Sequence, residues 1–236
     1  MNRIVYVILK KIYVVPVWFA RICKYSKSNK HTDEEKYQVL RDIVQKVNKG
    51  CNVEIVCTGK ENLPKESGYI LFPNHEGLFD VLLTVDTHER PISFVIKKEL
   101  ENTILLKQVI RLLNAKALDR SDVRQSMQVI IEMAQDVKKG KNYIIFPEGT
   151  RSKVPNKPDV FKGGTFKSAI KAKAPIVPVA LIDSYKPFDI NSTKKVTVQI
   201  HYLKPLYYEE YKEMKSTEIA NRVREDIIKA IEQNLS

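Results

Sequence analysis

From residue 33 onward, short apolar runs alternate with stretches of helical period. CNVEIVC (51–57) and VTVQIHYL (196–203) alternate apolar and polar positions as half-buried strands do. YILF (69–72), ISFVI (92–96), AKAL (115–118), YIIF (143–146) and IVPVALI (176–182) are short apolar runs of the buried-strand kind. Residues 33–49 read as a helix, with Thr32 or Asp33 as N-cap and Gly50 just past its end. Further helices are predicted over 80–88, 99–113, 122–139, the stretch after the Gly163-Gly164 turn, and 217–235. Strands separated by helices predict an α/β fold: a mixed, partly parallel sheet flanked by helices. No linker, repeat or low-complexity tract divides residues 31–236, which are expected to form one domain with residues 1–30 as a helical attachment.

The attachment has a pattern of its own. At about 100° per residue, Arg3, Lys10, Lys11, Arg21 and Lys24 fall within one sector of roughly 140°, opposite Ile4, Val5, Ile8, Leu9, Ile12, Val15, Phe19 and Ile22. Neither apolar run approaches the roughly 20 residues of a spanning helix, and each mid-segment lysine would cost about 2.5–3.5 kcal/mol inside a bilayer. No small-residue cleavage pattern follows, which argues against a signal peptide. Two readings remain open and compatible: a basic amphipathic helix lying on a bilayer surface, with Trp18 and tyrosines at headgroup level, or a helix packing its apolar face on the domain. Pro16 is expected to kink it or split it into two.

Charge sharpens this picture. The 236 residues carry a formal net charge of +12, which points to nucleic acid, anionic lipid or an acidic partner without choosing among them. Residues 1–30 hold seven Lys and Arg and no acidic residue, so most of the excess sits on the attachment. That favours an anionic membrane surface over nucleic acid. Three cysteines without a C-x-x-C pair argue against a zinc site or disulfide framework, and no glycine-rich nucleotide fingerprint occurs.

The chemistry gathers at an internal echo. GYILFPNHEG (68–77) and NYIIFPEGTR (142–151) both run from buried strand through Phe-Pro into a polar cluster. In a mostly parallel sheet the strand C-termini share the ligand-binding edge, so both clusters are expected to face one crevice. His75 and Asp80 are spaced to fold back on each other, the carboxylate orienting one imidazole nitrogen and leaving the other to accept a hydroxyl proton. No G-x-S-x-G serine and no nearby cysteine offers a covalent carrier, which suggests direct transfer. Arg120 in ALDRSD, Arg151 in EGTRSK and Lys162 are candidate phosphate contacts, with a surface ion pair such as Asp119–Arg120 as the plain alternative. His88 and His201 lack a comparable setting and read as surface or strand residues.

These residues resemble the blocks of the PlsC-like glycerolipid acyltransferases. Asn74-His75 with Asp80 resembles their N-H-x-x-x-x-D block, and Phe146 to Ser152 their F-P-E-G-T-R-S block. Ala117-Leu118-Asp119-Arg120 is similar to the second block and Ile176 to Leu181, with central Pro178, to the fourth. The resemblance spans roughly residues 55–185. It implies acyl transfer from acyl-CoA or acyl carrier protein to the sn-2 hydroxyl of 1-acyl-glycerol-3-phosphate (lysophosphatidic acid), giving phosphatidic acid, with no metal or bound cofactor. By the same resemblance His75 is the base and Asp80 its partner. Asn74, Glu148, Gly149, Thr150 and Pro178 shape the substrate site, while Arg151 and Arg120 hold the phosphate. The basic helix resembles the family's membrane-docking segment, which places the chain on the cytoplasmic face of the cell membrane, peripheral or monotopic. The same chemistry on another lysophospholipid, or a non-enzymatic peripheral membrane protein, are the alternatives.

Overall fold

A computed structural model describes residues 3–103, 106–119 and 121–235. Two helices open it, α1 (Arg3–Lys10) and α2 (Val15–Ser26), separated by a turn, with Pro16 in the first turn of α2 where its missing N–H costs nothing. Then follow α3 (Asp33–Gly50), β1 (Val53–Thr58), β2 (Ile70–Pro73), α4 (Phe79–Thr87), β3 (Ile92–Lys97), α5 (Leu106–Leu112), β4 (Lys116–Leu118) and α6 (Val123–Lys138). The chain continues through β5 (Asn142–Ile144), α7 (Lys167–Ala172), β6 (Ile176–Ile182), α8 (Lys186–Asp189), β7 (Val196–Tyr202), α9 (Tyr208–Tyr211) and α10 (Ser216–Leu235). Thr32 caps α3 through a reciprocal box with Glu35. The helix expected over 99–113 is confined to α5, because residues 101–103 turn instead of continuing it.

The seven strands form one sheet in the order β1-β7-β6-β2-β5-β3-β4. Five of them, β2 to β6, run parallel, whereas β7 lies antiparallel to β6 and carries β1 parallel to itself. The C-termini of β2–β6 and the N-termini of β1 and β7 therefore share one edge. β6 is buried at every position, as a central strand covered on both faces should be. Its side chains alternate: Val177, Val179 and Leu181 join the core under α2–α5, while Ile176, Ala180 and Ile182 join the core with α6, α7 and α10. The edge strand β1 alternates between half-buried and exposed.

The N-terminal segment divides in a way the wheel does not foresee. In α1 the residues turned inward are Arg3 and Val7, whereas Ile4, Val5, Ile8 and Leu9 face solvent, Leu9 at 57% exposure. In α2, Ile22 is buried, and Trp18 and Tyr25 pack on the core beside α3 and α5. One assignment is thereby corrected. Arg3 is 2% exposed and is not free to meet lipid headgroups, while Trp18 is half-buried against the core. Arg21 faces Asp42 of α3 at 3.9 Å, while Lys10 and Lys24 remain exposed, and Lys11 and Phe19 are half-buried. No described helix is long and apolar enough to cross a membrane.

Candidate active site

β2 carries His75 just beyond its end, and α4 places Asp80 in its first turn. Nδ1 of His75 lies 2.8 Å from Oδ2 of Asp80. That same oxygen accepts the backbone N–H of Glu76 at 2.8 Å and of Gly77 at 3.1 Å, while Oδ1 accepts the Ser184 hydroxyl at 2.7 Å. Asp80 is fully buried. An Nδ1–H directed at the carboxylate leaves Nε2 as the unprotonated, basic nitrogen of the neutral ring. The imidazole stacks on Phe146, centroids 4.2 Å apart, and its side chain keeps 22% exposure. A hydroxyl can reach it. The turn between the pair is tight: a Cβ on Gly77 would stand 2.9 Å from Asp189 Oδ2 and 3.1 Å from the Tyr185 Cα, so only glycine lets α8 pack there.

The two Phe-Pro clusters meet as the echo predicts. Glu148 Oε1 accepts the His75 N–H at 2.7 Å, and the His75 carbonyl accepts the Ser152 N–H at 2.7 Å. Oε2 of Glu148 takes the Ser152 hydroxyl at 2.8 Å and the Asp159 N–H at 2.9 Å. Burial pushes the Glu148 carboxyl above the usual carboxylate range, against those hydrogen bonds. Glu148 is thus a brace for the His75 loop and shapes the site through these hydrogen bonds. Gly149 turns with φ +75°, a left-handed conformation open to glycine.

Asn74 acts in the same way. Its Oδ1 accepts Leu181 N–H at 2.8 Å, and Nδ2 donates to Leu181 O at 2.9 Å and to Glu76 Oε1 at 3.2 Å. Wholly buried and fully bonded, it fastens the His75 loop to β6. Pro178 pairs with Phe72 inside the sheet and is buried, so it supports the site through its strand and not by touching substrate. Thr150, Arg151 and Lys162 are exposed, as anion contacts must be. Arg151 Nη1 lies 3.5 Å from Asp189 Oδ1, and the Lys162 N–H returns to Pro147 O at 3.0 Å. Arg120 lies outside the described residues. Its neighbour Asp119 is tied to Ser121 and to Lys98, at 3.1 Å, and those donors hold its carboxyl down at about 2.

Sequence reasoning misses three supports, Ser184, Asn156 and Asp189, and gives Glu76 of the first polar cluster no role. Glu76 is 5% exposed, and its Oε1 accepts the Asn156 N–H at 2.9 Å. Asn156 in turn donates from Nδ2 to Asp183 Oδ1 at 2.9 Å and accepts the Asp183 backbone N–H on Oδ1 at 2.8 Å. Burial, aided by Asp80 and Glu148, pushes the Glu76 carboxyl up to about 8. Ser184 and Asp183 had a signal, standing directly after the IVPVALI run at the ligand edge. His88 is not a surface residue: fully buried, it contacts Tyr69 Oη through Nε2 and Arg90 O through Nδ1, each at 2.7 Å, and burial lowers its pKa to about 4. His201 belongs to β7 and meets Thr58 Oγ1 at 2.7 Å. Among the described residues, no group of three or more His, Cys, Asp or Glu is placed to hold a metal ion.

The acyltransferase family model matches residues 54–182. The 1-acyl-sn-glycerol-3-phosphate acyltransferase of Borreliella burgdorferi is 29% identical over 185 residues, covering 76% of this chain and 72% of its own. The 1-acyl-sn-glycerol-3-phosphate acyltransferase of Saccharomyces cerevisiae is 29% identical over 196 residues, 80% of this chain and 63% of its own. The crystal structure of the 1-acyl-sn-glycerophosphate acyltransferase PlsC from Thermotoga maritima superimposes with a TM-score of 0.80 at 21% identity, covering 100% of this chain and 98% of that one.

Proposed function

The chain belongs to the acyltransferase family, and we propose that it acylates the sn-2 hydroxyl of 1-acyl-glycerol-3-phosphate to give phosphatidic acid. The observation that carries the reading is the 2.8 Å His75–Asp80 pair, whose second ring nitrogen opens onto an edge that also bears Arg151. Nε2 of His75 takes the proton as the acceptor oxygen attacks the thioester carbonyl, and the new C–O bond makes a tetrahedral intermediate. Asp80 stabilises the imidazolium that forms. The intermediate collapses with cleavage of the C–S bond, and the imidazolium proton passes to the departing thiolate. No enzyme-bound acyl group is needed. Arg151, with Lys162 and Arg120, binds the phosphate, and its charge is already compensated by Asp189 at 3.5 Å. Acyl-CoA or acyl carrier protein supplies the thioester.

The exposed apolar side of α1 supports peripheral attachment to an anionic membrane, the phase in which the acceptor resides. Residues 1–30 are then the docking attachment of an acyltransferase domain over 31–236, placed on the cytoplasmic face. The test is a mass-spectrometric product assay with a panel of lysolipid acceptors and both donor types. Phosphatidic acid from lysophosphatidate, lost in His75→Ala, is the expected result. Preference for a zwitterionic lysolipid, or turnover of His75→Ala near wild type, would overturn the assignment.

A further inference from the structure

Arg3 is buried in a place that tells more than its charge. Nη1 donates to Cys51 O at 2.6 Å and reaches Asn52 O at 3.4 Å, and Nη2 donates to Lys194 O at 2.8 Å. These carbonyls immediately precede β1 and β7, whose N-termini lie on the edge where β2–β6 end and His75 stands. One guanidinium therefore bridges α1 to the catalytic edge at two chain positions far apart in sequence. The stripe continues along the helix: a Cβ on Gly50, the last residue of α3, would sit 3.8 Å from both Val7 Cγ1 and Lys11 Cε. With Arg3 and Val7 turned inward, the helix has one rotation available, the one that presents Ile4, Val5, Ile8 and Leu9 to solvent.

The arrangement is costly for a residue with no positional role. Among the described residues Arg3 Nε is buried with no partner, and burial draws the pKa of the guanidinium below its usual value. The fork of a guanidinium spans two strand entrances, which the single ammonium of lysine cannot do. α1 also touches α8. That short helix packs on Gly77 of the catalytic turn and pairs Asp189 with Arg151. The helix with the apolar face and the site of proton transfer are thus joined along one edge.

We propose that Arg3 is a positioning residue, locking α1 in the rotation that holds a bilayer against the catalytic edge so that a membrane-embedded acceptor meets His75. The proposal rests on the membrane-docking reading above. Its test compares wild type, Arg3→Ala and Arg3→Lys with lysophosphatidate presented in phosphatidylglycerol–phosphatidylcholine vesicles and in detergent micelles. On vesicles both variants are expected to lose roughly tenfold or more in kcat, in line with the cost of misplacing a reactant. In micelles they stay within about twofold, and they sediment with vesicles as wild type does.

Wild-type activity of Arg3→Lys on vesicles would overturn the proposal, since charge alone would suffice. Equal losses in vesicles and micelles would also overturn it, as would loss of sedimentation. If Ile8→Asp leaves vesicle sedimentation unchanged, the docking reading itself falls, whatever Arg3 does. Should Arg3→Ala not fold, Arg3→Lys carries the same comparison. Spin labels at Leu9 and Lys195 give a reading independent of activity: a narrow distance distribution in wild type that broadens in Arg3→Lys. An unchanged distribution overturns the lock.

Discussion

Ser184 donates a 2.7 Å hydrogen bond to Oδ1 of Asp80, the oxygen that His75 does not use. The carboxylate is thereby gripped from both sides, by backbone N–H groups and His75 on Oδ2 and by a fully buried hydroxyl on Oδ1. Removing the hydroxyl leaves the oxygen buried and short of a donor, a loss of about 1–1.5 kcal/mol of orientation. Ser184→Ala is expected to lower kcat about tenfold with KM within twofold of wild type. Steady-state kinetics reads the split, and a loss confined to KM would place Ser184 in substrate binding instead.

The partner itself should matter far more. Asp80→Ala removes both the acceptor that holds the proton on Nδ1 and the charge that stabilises the imidazolium, leaving the ring free to place its proton on Nε2, the wrong nitrogen for a base. A fall in kcat of roughly 10³–10⁴ is expected, with lysophosphatidate still binding. Turnover within tenfold of wild type would mean that the imidazole is not oriented by this carboxylate.

Most of this pair was legible in the chain, and the reason is locality. His75 and Asp80 are five residues apart between a Phe-Pro strand end and a helix start, so spacing alone brings them together. Ser184 is 104 residues from Asp80 and Asn156 is 80 from Glu76, joined by the crossovers of a parallel sheet that no short window records. Arg3 shows a different blindness. A helical wheel gives angles between side chains but not which side faces the protein. That side was set by carbonyls 48 and 191 residues away. Asn74 and Glu148 were found as site residues but their backbone partners were not, because a motif marks position without saying whether a side chain points at substrate or at backbone.

Arg151 offers a test of headgroup selection. Its pairing with Asp189 is 3.5 Å long and both side chains are a third or more exposed, so the pair is worth at most about 1 kcal/mol and a phosphate can displace the carboxylate. Arg151→Ala is expected to raise KM for lysophosphatidate about tenfold or more with a smaller change in kcat. Arg151→Lys should recover only part of it, because lysine keeps the charge but not the fork. A KM unchanged in both variants would put the phosphate elsewhere.

Glu76 makes the fold sensitive to pH. Its carboxyl titrates at about 8 in the folded chain against an ordinary value of 4.5, chiefly because it is buried and also because Asp80 and Glu148 lie near. Between these values the folded state holds a proton that the unfolded state has lost. Stability conferred by this group is therefore fully present below about pH 4.5 and declines as pH rises through about 8. Glu76→Gln keeps a neutral acceptor for the Asn156 N–H and removes the titration. At pH 9 it should melt roughly 3–8 °C above wild type, while at pH 5 the two should coincide within about 2 °C. Equal melting points at pH 9, followed by circular dichroism, would place the Glu76 titration outside this range.

The docking face is best tested without deleting it. Removing residues 1–27 would also strip Trp18, Ile22 and Tyr25 from the core, so lost activity would report unfolding as readily as detachment. Ile8 and Leu9 lie on the exposed face of α1, at 45% and 57% exposure. A double change to Asp there takes away apolar area without touching the core. It also adds two negative charges that an anionic surface repels. Ile8→Asp with Leu9→Asp is expected to lower the affinity for phosphatidylglycerol vesicles about tenfold or more, with an unchanged melting point and normal activity on micellar acceptor. Sedimentation with vesicles measures the first and calorimetry the second. Undiminished binding by a fully folded variant would mean that the membrane is met by another face.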